Sequence, residues 1–167
     1  MPRMPIRRLL GLSALLGVAA SATASVPPVG PDSGKPVPRF ESLKYGEVNG
    51  RQGPTLDHRI LWTYHRRGLP VEIVAESGSW RRVRDPDGDL AWVNANMLDG
   101  HRMVFIAAAN PTPLLATPRS KARTIALLGP GVVAQLKECK LGWRSIKVGP
   151  REGWVPGSVL WGADRCD

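Results

Sequence analysis

The chain is short of the residues from which catalytic and metal sites are usually built. Its 167 residues include three histidines, His58, His65 and His101, and two cysteines, Cys139 and Cys166. The histidines lie in the first part of the chain and the cysteines near its end. No sequence-local nucleophile–base arrangement results, and neither set has zinc-ligand spacing. No H-E-x-x-H, G-x-S-x-G or phosphate-cradling glycine loop occurs. The sequence therefore offers no catalytic residues, no metal ligands and no cofactor motif. Tyr and Phe number two each against six Trp. The longest apolar run, Leu9–Ala20, has 12 residues, and a bilayer span needs roughly 20. Acidic residues are outnumbered 14 to 23, for a formal charge of +9. Together these shortages argue against a large enzyme, a polytopic membrane protein and a long coiled coil.

The N-terminus has three parts. Arg3, Arg7 and Arg8 precede the apolar run, and Ala22 and Ala24 then form an A-x-A cleavage pattern. This is the anatomy of a secretory signal peptide over residues 1–24. Its removal leaves 20 basic against 14 acidic residues, +6 over 143 residues. The expectation is a periplasmic or secreted protein with no membrane span after cleavage. Nucleic acid is not an expected partner there, whereas anionic envelope polymers are. An oxidising compartment also suits a Cys139–Cys166 disulfide, with two free thiols as the alternative.

Residues 25–39 hold five prolines and no apolar period. They read as a disordered Pro-rich linker. Short strands with frequent punctuation follow. Val71–Glu76 approximates a two-residue alternation, and Trp80–Arg84 and Leu90–Val93 flank the turn sequence Asp85-Pro86-Asp87-Gly88-Asp89. The alternating aspartates of that turn lack the later glutamate of a calcium loop, so a polar hairpin tip is the expectation. No capped helical stripe appears after residue 39.

A repeat organises this region. Trp80 follows Gly68 by 12 residues, Trp92 by a further 12 and Leu98 by 6. Trp143 follows Gly131 by 12, Trp154 by a further 11 and Leu160 by 6. The single-residue difference falls at a hairpin tip, where length changes are tolerated. The pattern predicts a duplicated all-β unit of a size that needs bulky side chains inside, so the four repeat tryptophans are expected in the cores.

The carrying segments are Asn49-Gly50-Arg51-Gln52-Gly53-Pro54, Gly68–Ile73, Trp80–Arg84, Trp92-Val93 and Leu160-Trp161-Gly162. On these the chain resembles the bacterial SH3-like (SH3b) domain family, as an exported protein with two tandem domains. The resemblance implies two small SH3-like β-barrels, residues 40–100 and 101–163, with a tail at 164–167. Gly50 stands where the opening motif has an apolar residue, which implies loose packing of that strand. The second unit keeps only Leu114–Pro118 there and lacks the Asn and Arg.

The resemblance also implies binding, not catalysis. The expected ligand is peptidoglycan, another anionic envelope polymer, or a periplasmic peptide or protein. The candidate ligand-binding residues are Trp62, Tyr64, Arg66 and Arg67, because aromatics beside cations suit stacking on a sugar or peptide and pairing with an acid. The alternative is that Trp62 and Tyr64 fill the core or the seam between domains. A scaffold docking to a periplasmic partner, and more remotely a hydrolase, are the competing functions.

Overall fold

The computed structural model describes residues 28–163. The expected leader and the tail with Cys166 lie outside the described residues. The first sheet contains β1 (Arg39–Leu43), β2 (Val48–Arg51), β3 (Ile60–Tyr64), β4 (Pro70–Ser77), β5 (Trp80–Arg84), β6 (Leu90–Asn94) and β7 (Leu98–Asp99). The second contains β8 (Met103–Ile106), β9 (Thr112–Leu115), β10 (Thr124–Leu128), β11 (Val133–Lys140), β12 (Trp143–Val148), β13 (Arg151–Pro156) and β14 (Leu160–Trp161). Single 3-10 turns, Ala95–Met97 and Gly157–Val159, precede the last strand of each.

The strand orders are β3-β2-β6-β5-β4-β1-β7 and β10-β9-β13-β12-β11-β8-β14. Raising each number in the first order by seven gives the second. All the named pairings are antiparallel. The duplication read from tryptophan spacing is thus present in the topology, and the chain is all-β with two tandem domains. Gly68 and Gly131 enter β4 and β11 at φ +76° and +79°, a region that only glycine occupies cheaply. Their equivalence explains why the repeat begins on a glycine.

The cores correct the expectation for tryptophan. Val71, Ile73, Val83 and Val93 are fully buried in the first core, and Val104, Ile146 and Val155 in the second. None of Trp80, Trp92, Trp143 and Trp154 belongs to either core cluster. Strand alternation gives the reason: Trp92 precedes Val93 and Trp154 precedes Val155, so each pair points to opposite faces. The β-branched residue takes the inside, and Trp92, Trp143 and Trp154 lie half-buried on the other side. Trp80 alone of the four is buried as expected, although it is not a member of the core cluster.

Packing around Gly50 is also corrected. A Cβ there would lie 2.9 Å from the Ala91 side chain, 3.2 Å from Trp62 Nε1 and 3.3 Å from Tyr64. The space is therefore filled from β6 and β3, not loose. The register places Gly50 opposite Trp62 and Val48 opposite Tyr64, while Leu114 lies opposite Ala126 and Thr112 opposite Leu128. The first domain pairs glycine with tryptophan where the second pairs leucine with alanine. Bulk has moved from one strand to its neighbour, which keeps the interior filled.

Residues 28–38 depart from the disordered linker. Val29 bridges Pro36, and the Gly30 and Val37 amides donate to Lys35 and Pro28 carbonyls at 2.8 Å. The anchor is Glu76 at the end of β4, whose side chain has no solvent exposure. It accepts from the Asp32 and Ser33 amides at 3.1 and 2.9 Å and from the Ser33 hydroxyl at 2.6 Å. Arg39 and Arg81 pair with it at 2.7 and 3.4 Å. Burial acts to raise the Glu76 pKa, but these hydrogen bonds outweigh it and lower it to about 2. A composition that looks unstructured is thus ordered by one distant carboxylate.

The domains are packed on each other. Phe105 of β8 and Val133 of β11 pack against the first core. Phe40 of β1 meets Trp161 of β14 edge-on, with centroids 5.3 Å apart. A Cβ on Gly162 would lie 3.3 Å from Pro70.

Candidate functional site

The structure separates the four residues singled out from sequence. Tyr64 is 8% exposed and belongs to the first core. Its hydroxyl donates to Asp85 Oδ2 at 3.3 Å, and burial pushes its pKa upward. Trp62 packs against that core, edge-on to Tyr64 at 6.0 Å, and its indole nitrogen is buried without a partner. Arg66 and Arg67 are exposed just beyond β3. The Arg66 guanidinium lies beside Gly131 of the second domain. Arg67 lines a cleft where the two domains meet.

That cleft consists of two adjoining depressions of about 340 and 330 Å³, which share His101 and Met103. The first lies between the 28–38 segment, β1 and the connection to β8, with Lys35, Arg39 and Arg102 around a floor that includes Phe40 and Met103. The second lies between the end of β1 and the turn after β3, with Lys44 and Arg67 around Ser42 and Leu43. Five Lys or Arg side chains thus face two acids, Glu41 and Asp99.

The ion pairs divide these charges. Glu41 is held by Arg39 at 2.9 Å and Lys35 at 3.5 Å, and Arg39 also reaches Glu76. Asp99 pairs with His101. The His101 backbone amide, foremost, keeps the Asp99 carboxyl below its ordinary pKa, with smaller help from the Lys44 charge. Lys44 and Arg67 form no ion pair with an acid among the described residues. Both are exposed and held in no ion pair, and Lys44 acts on Asp99 only through its charge. Sequence reading reached Arg67 but not Lys44, Lys35 or Arg39, which come from segments that only the folded chain brings together.

The opening motif has a local task. Arg51 Nη1 donates to the Leu56 and His58 carbonyls at 3.0 and 2.8 Å, and Asn49 Oδ1 accepts from Thr63 at 2.8 Å. The motif therefore adds side-chain bonds to the β2–β3 loop, which both domains also close by an equivalent backbone bond, Gln52 amide to Arg59 carbonyl in the first and Ala116 amide to Arg123 carbonyl in the second. Asp85 caps the β5–β6 turn, accepting from the Asp87 and Asp89 amides at 3.1 and 2.9 Å. Its burial raises its pKa, against these hydrogen bonds. Cys139 lies on β11 against the second core, and its expected partner lies outside the described residues. No group of three or more His, Cys, Asp or Glu among the described residues is arranged to hold a metal ion. No helix among them is long and apolar enough to cross a membrane.

A duplicated, small all-β module with a basic cleft at the domain junction is the class that fold and site define. The bacterial SH3 domain model matches residues 44–100 and again 108–162. The chain belongs to that family, with two tandem copies. No curated protein matches it. Among solved structures it is similar to NlpC2 from Trichomonas vaginalis, at 13% identity and a TM-score of 0.33, covering 75% of this chain and 48% of that one. It is also similar to NlpC1 from Trichomonas vaginalis, at 12% identity and a TM-score of 0.34, covering 79% and 48%. The chain thus spans about half the length of both.

Proposed function

We propose that this protein is an exported, non-enzymatic binding module whose tandem bacterial SH3 domains hold peptidoglycan or a peptide ligand in the cell envelope. The observation that carries the reading is the domain-junction cleft, where five cationic side chains face two acids. Such a concave basic site attracts anionic groups and holds them through charge-assisted hydrogen bonds. The leader read over residues 1–24 supplies the route to the envelope. The reading gives the cysteines a structural role and the histidines none in chemistry.

The test is co-sedimentation of the purified mature chain with intact sacculi at moderate salt. Retention well above that of an unrelated folded protein of equal net charge is the expected result. Equal retention of the two would reduce the interaction to nonspecific charge and end the cell-wall reading.

A further inference from the structure

We infer that the cleft at the domain junction is a carboxylate-reading peptide site, with Lys44 and Arg67 as its anion-binding pair. The inference rests on the binding-module reading and narrows it to one place and one ligand chemistry. Lys44 and Arg67 line the same depression, both are exposed, and neither has an acidic partner among the described residues. The other cations with known ion pairs, Arg39 and Lys35, are occupied by Glu41. An incoming anion therefore meets two cations without having to break an ion pair, Arg67 with no acid paired to it among the described residues and Lys44 sharing its field with Asp99.

The walls choose between anions. Asp99 lines the depression that holds Lys44 and Arg67, and Glu41 lines the adjoining one. A continuous polyphosphate running along the cleft would pass both carboxylates and be repelled by them. A peptide has discrete carboxylates, which it can set against Lys44 and Arg67 while amide or amine groups face Asp99 and Glu41. The apolar surfaces of Leu43, Met103 and Phe40 suit small aliphatic side chains. Depressions of about 330 and 340 Å³ fit a few residues of chain.

The site also requires both domains. Lys44 and Arg67 come from the first, whereas Met103 belongs to β8 of the second, and Phe105 and Val133 fix that second domain against the first core. The ordered 28–38 segment contributes Lys35 and Pro36 to the adjoining depression. Ligand recognition is thus a property of the pair of domains and not of either copy alone.

The experiment is calorimetric titration of the full mature chain with a soluble disaccharide–tetrapeptide carrying free carboxylates, with its carboxylate-amidated counterpart, and with inorganic polyphosphate. Arg67→Ala and Lys44→Ala should each weaken the free-carboxylate probe about tenfold, the usual size for one charge-assisted hydrogen bond. Lys147→Ala, at an exposed site on β12, should not. Amidation should weaken binding at least as much as either substitution. Because Lys44 and Arg67 are exposed, unchanged thermal unfolding of the variants is expected and separates lost binding from lost fold. Equal affinity for the amidated probe, unchanged affinity in the double variant, or tighter binding of polyphosphate than of the peptide would overturn the inference. Sacculus retention of the wild-type chain with no loss in the double variant would overturn this site while leaving the broader reading intact. No wild-type retention would overturn the broader reading itself.

Discussion

Replacing Glu76 by Gln should release the 28–38 segment and remove an acid-sensitive part of the protein's stability. The Glu76 side chain has no solvent exposure and carries three hydrogen bonds from Asp32 and Ser33 plus ion pairs to Arg39 and Arg81. Its pKa falls from 4.5 to about 2 on folding. A pKa depressed in the folded state stabilises the protein fully above the unfolded value. That stabilisation is lost as pH falls from about 4.5 through about 2. The span corresponds to at most about 3 kcal/mol at neutral pH, at 1.36 kcal/mol per pH unit. Urea unfolding of wild type and Glu76→Gln at several pH values would measure it. The variant should be less stable by a few kcal/mol near pH 7, and the gap should close as the solution approaches pH 2. Hydrogen exchange supplies a local readout, since the Gly30, Asp32, Ser33 and Val37 amides should lose protection in the variant while the β4 and β5 amides keep theirs. A pH-independent gap, or unchanged protection at Gly30 and Val37, would refute the argument that this carboxylate orders the segment.

Gly50→Leu should destabilise the first domain by about 1–3 kcal/mol through overpacking, because even a Cβ there meets Ala91 at 2.9 Å. Adding Trp62→Ala together with Ala91→Gly reproduces the surroundings of Leu114 in the second domain, where Ala126 lies opposite and Gly153 stands at the Ala91 position. It should recover much of the loss, giving a coupling energy of at least about 0.5 kcal/mol in a double-mutant cycle that treats the added pair as one change; strict additivity would contradict the exchange of bulk between strands. A Cys139–Cys166 bridge would close a loop of about 26 residues and stabilise by roughly 3 kcal/mol in the chain-entropy model. Reductant should therefore lower the midpoint of the native chain but not of Cys139→Ser, and peptide mapping with two free thiols would rule the bridge out.

The duplication was legible because its signals are local and recur at fixed spacing. Gly68 and Gly131 are bound to their places by positive φ, and the hairpin tips absorb the one-residue difference. What spacing cannot give is the face. Trp92-Val93 and Trp154-Val155 put bulky apolar residues side by side, and strand register decides which of the two turns inward. Composition misled over residues 28–38, since proline and glycine content says nothing of Glu76, 44 residues beyond Asp32. The fold divides the four candidates Trp62, Tyr64, Arg66 and Arg67. Tyr64 goes inward to Asp85, 21 residues on, and only Arg67 reaches the cleft. Lys44 carried no signal at all in the sequence, because β2 and β3 separate it from Arg67 along the chain and the second domain completes the wall.

The most direct test of the central claim is a map of amide chemical shifts on titrating the labelled chain with the free-carboxylate disaccharide–tetrapeptide. The account predicts the largest shifts at Lys44, Arg67, Gly68, His101 and Met103, on both sides of the domain junction. Shifts confined to one domain, or centred on the outward tryptophans Trp92 and Trp154, would contradict it.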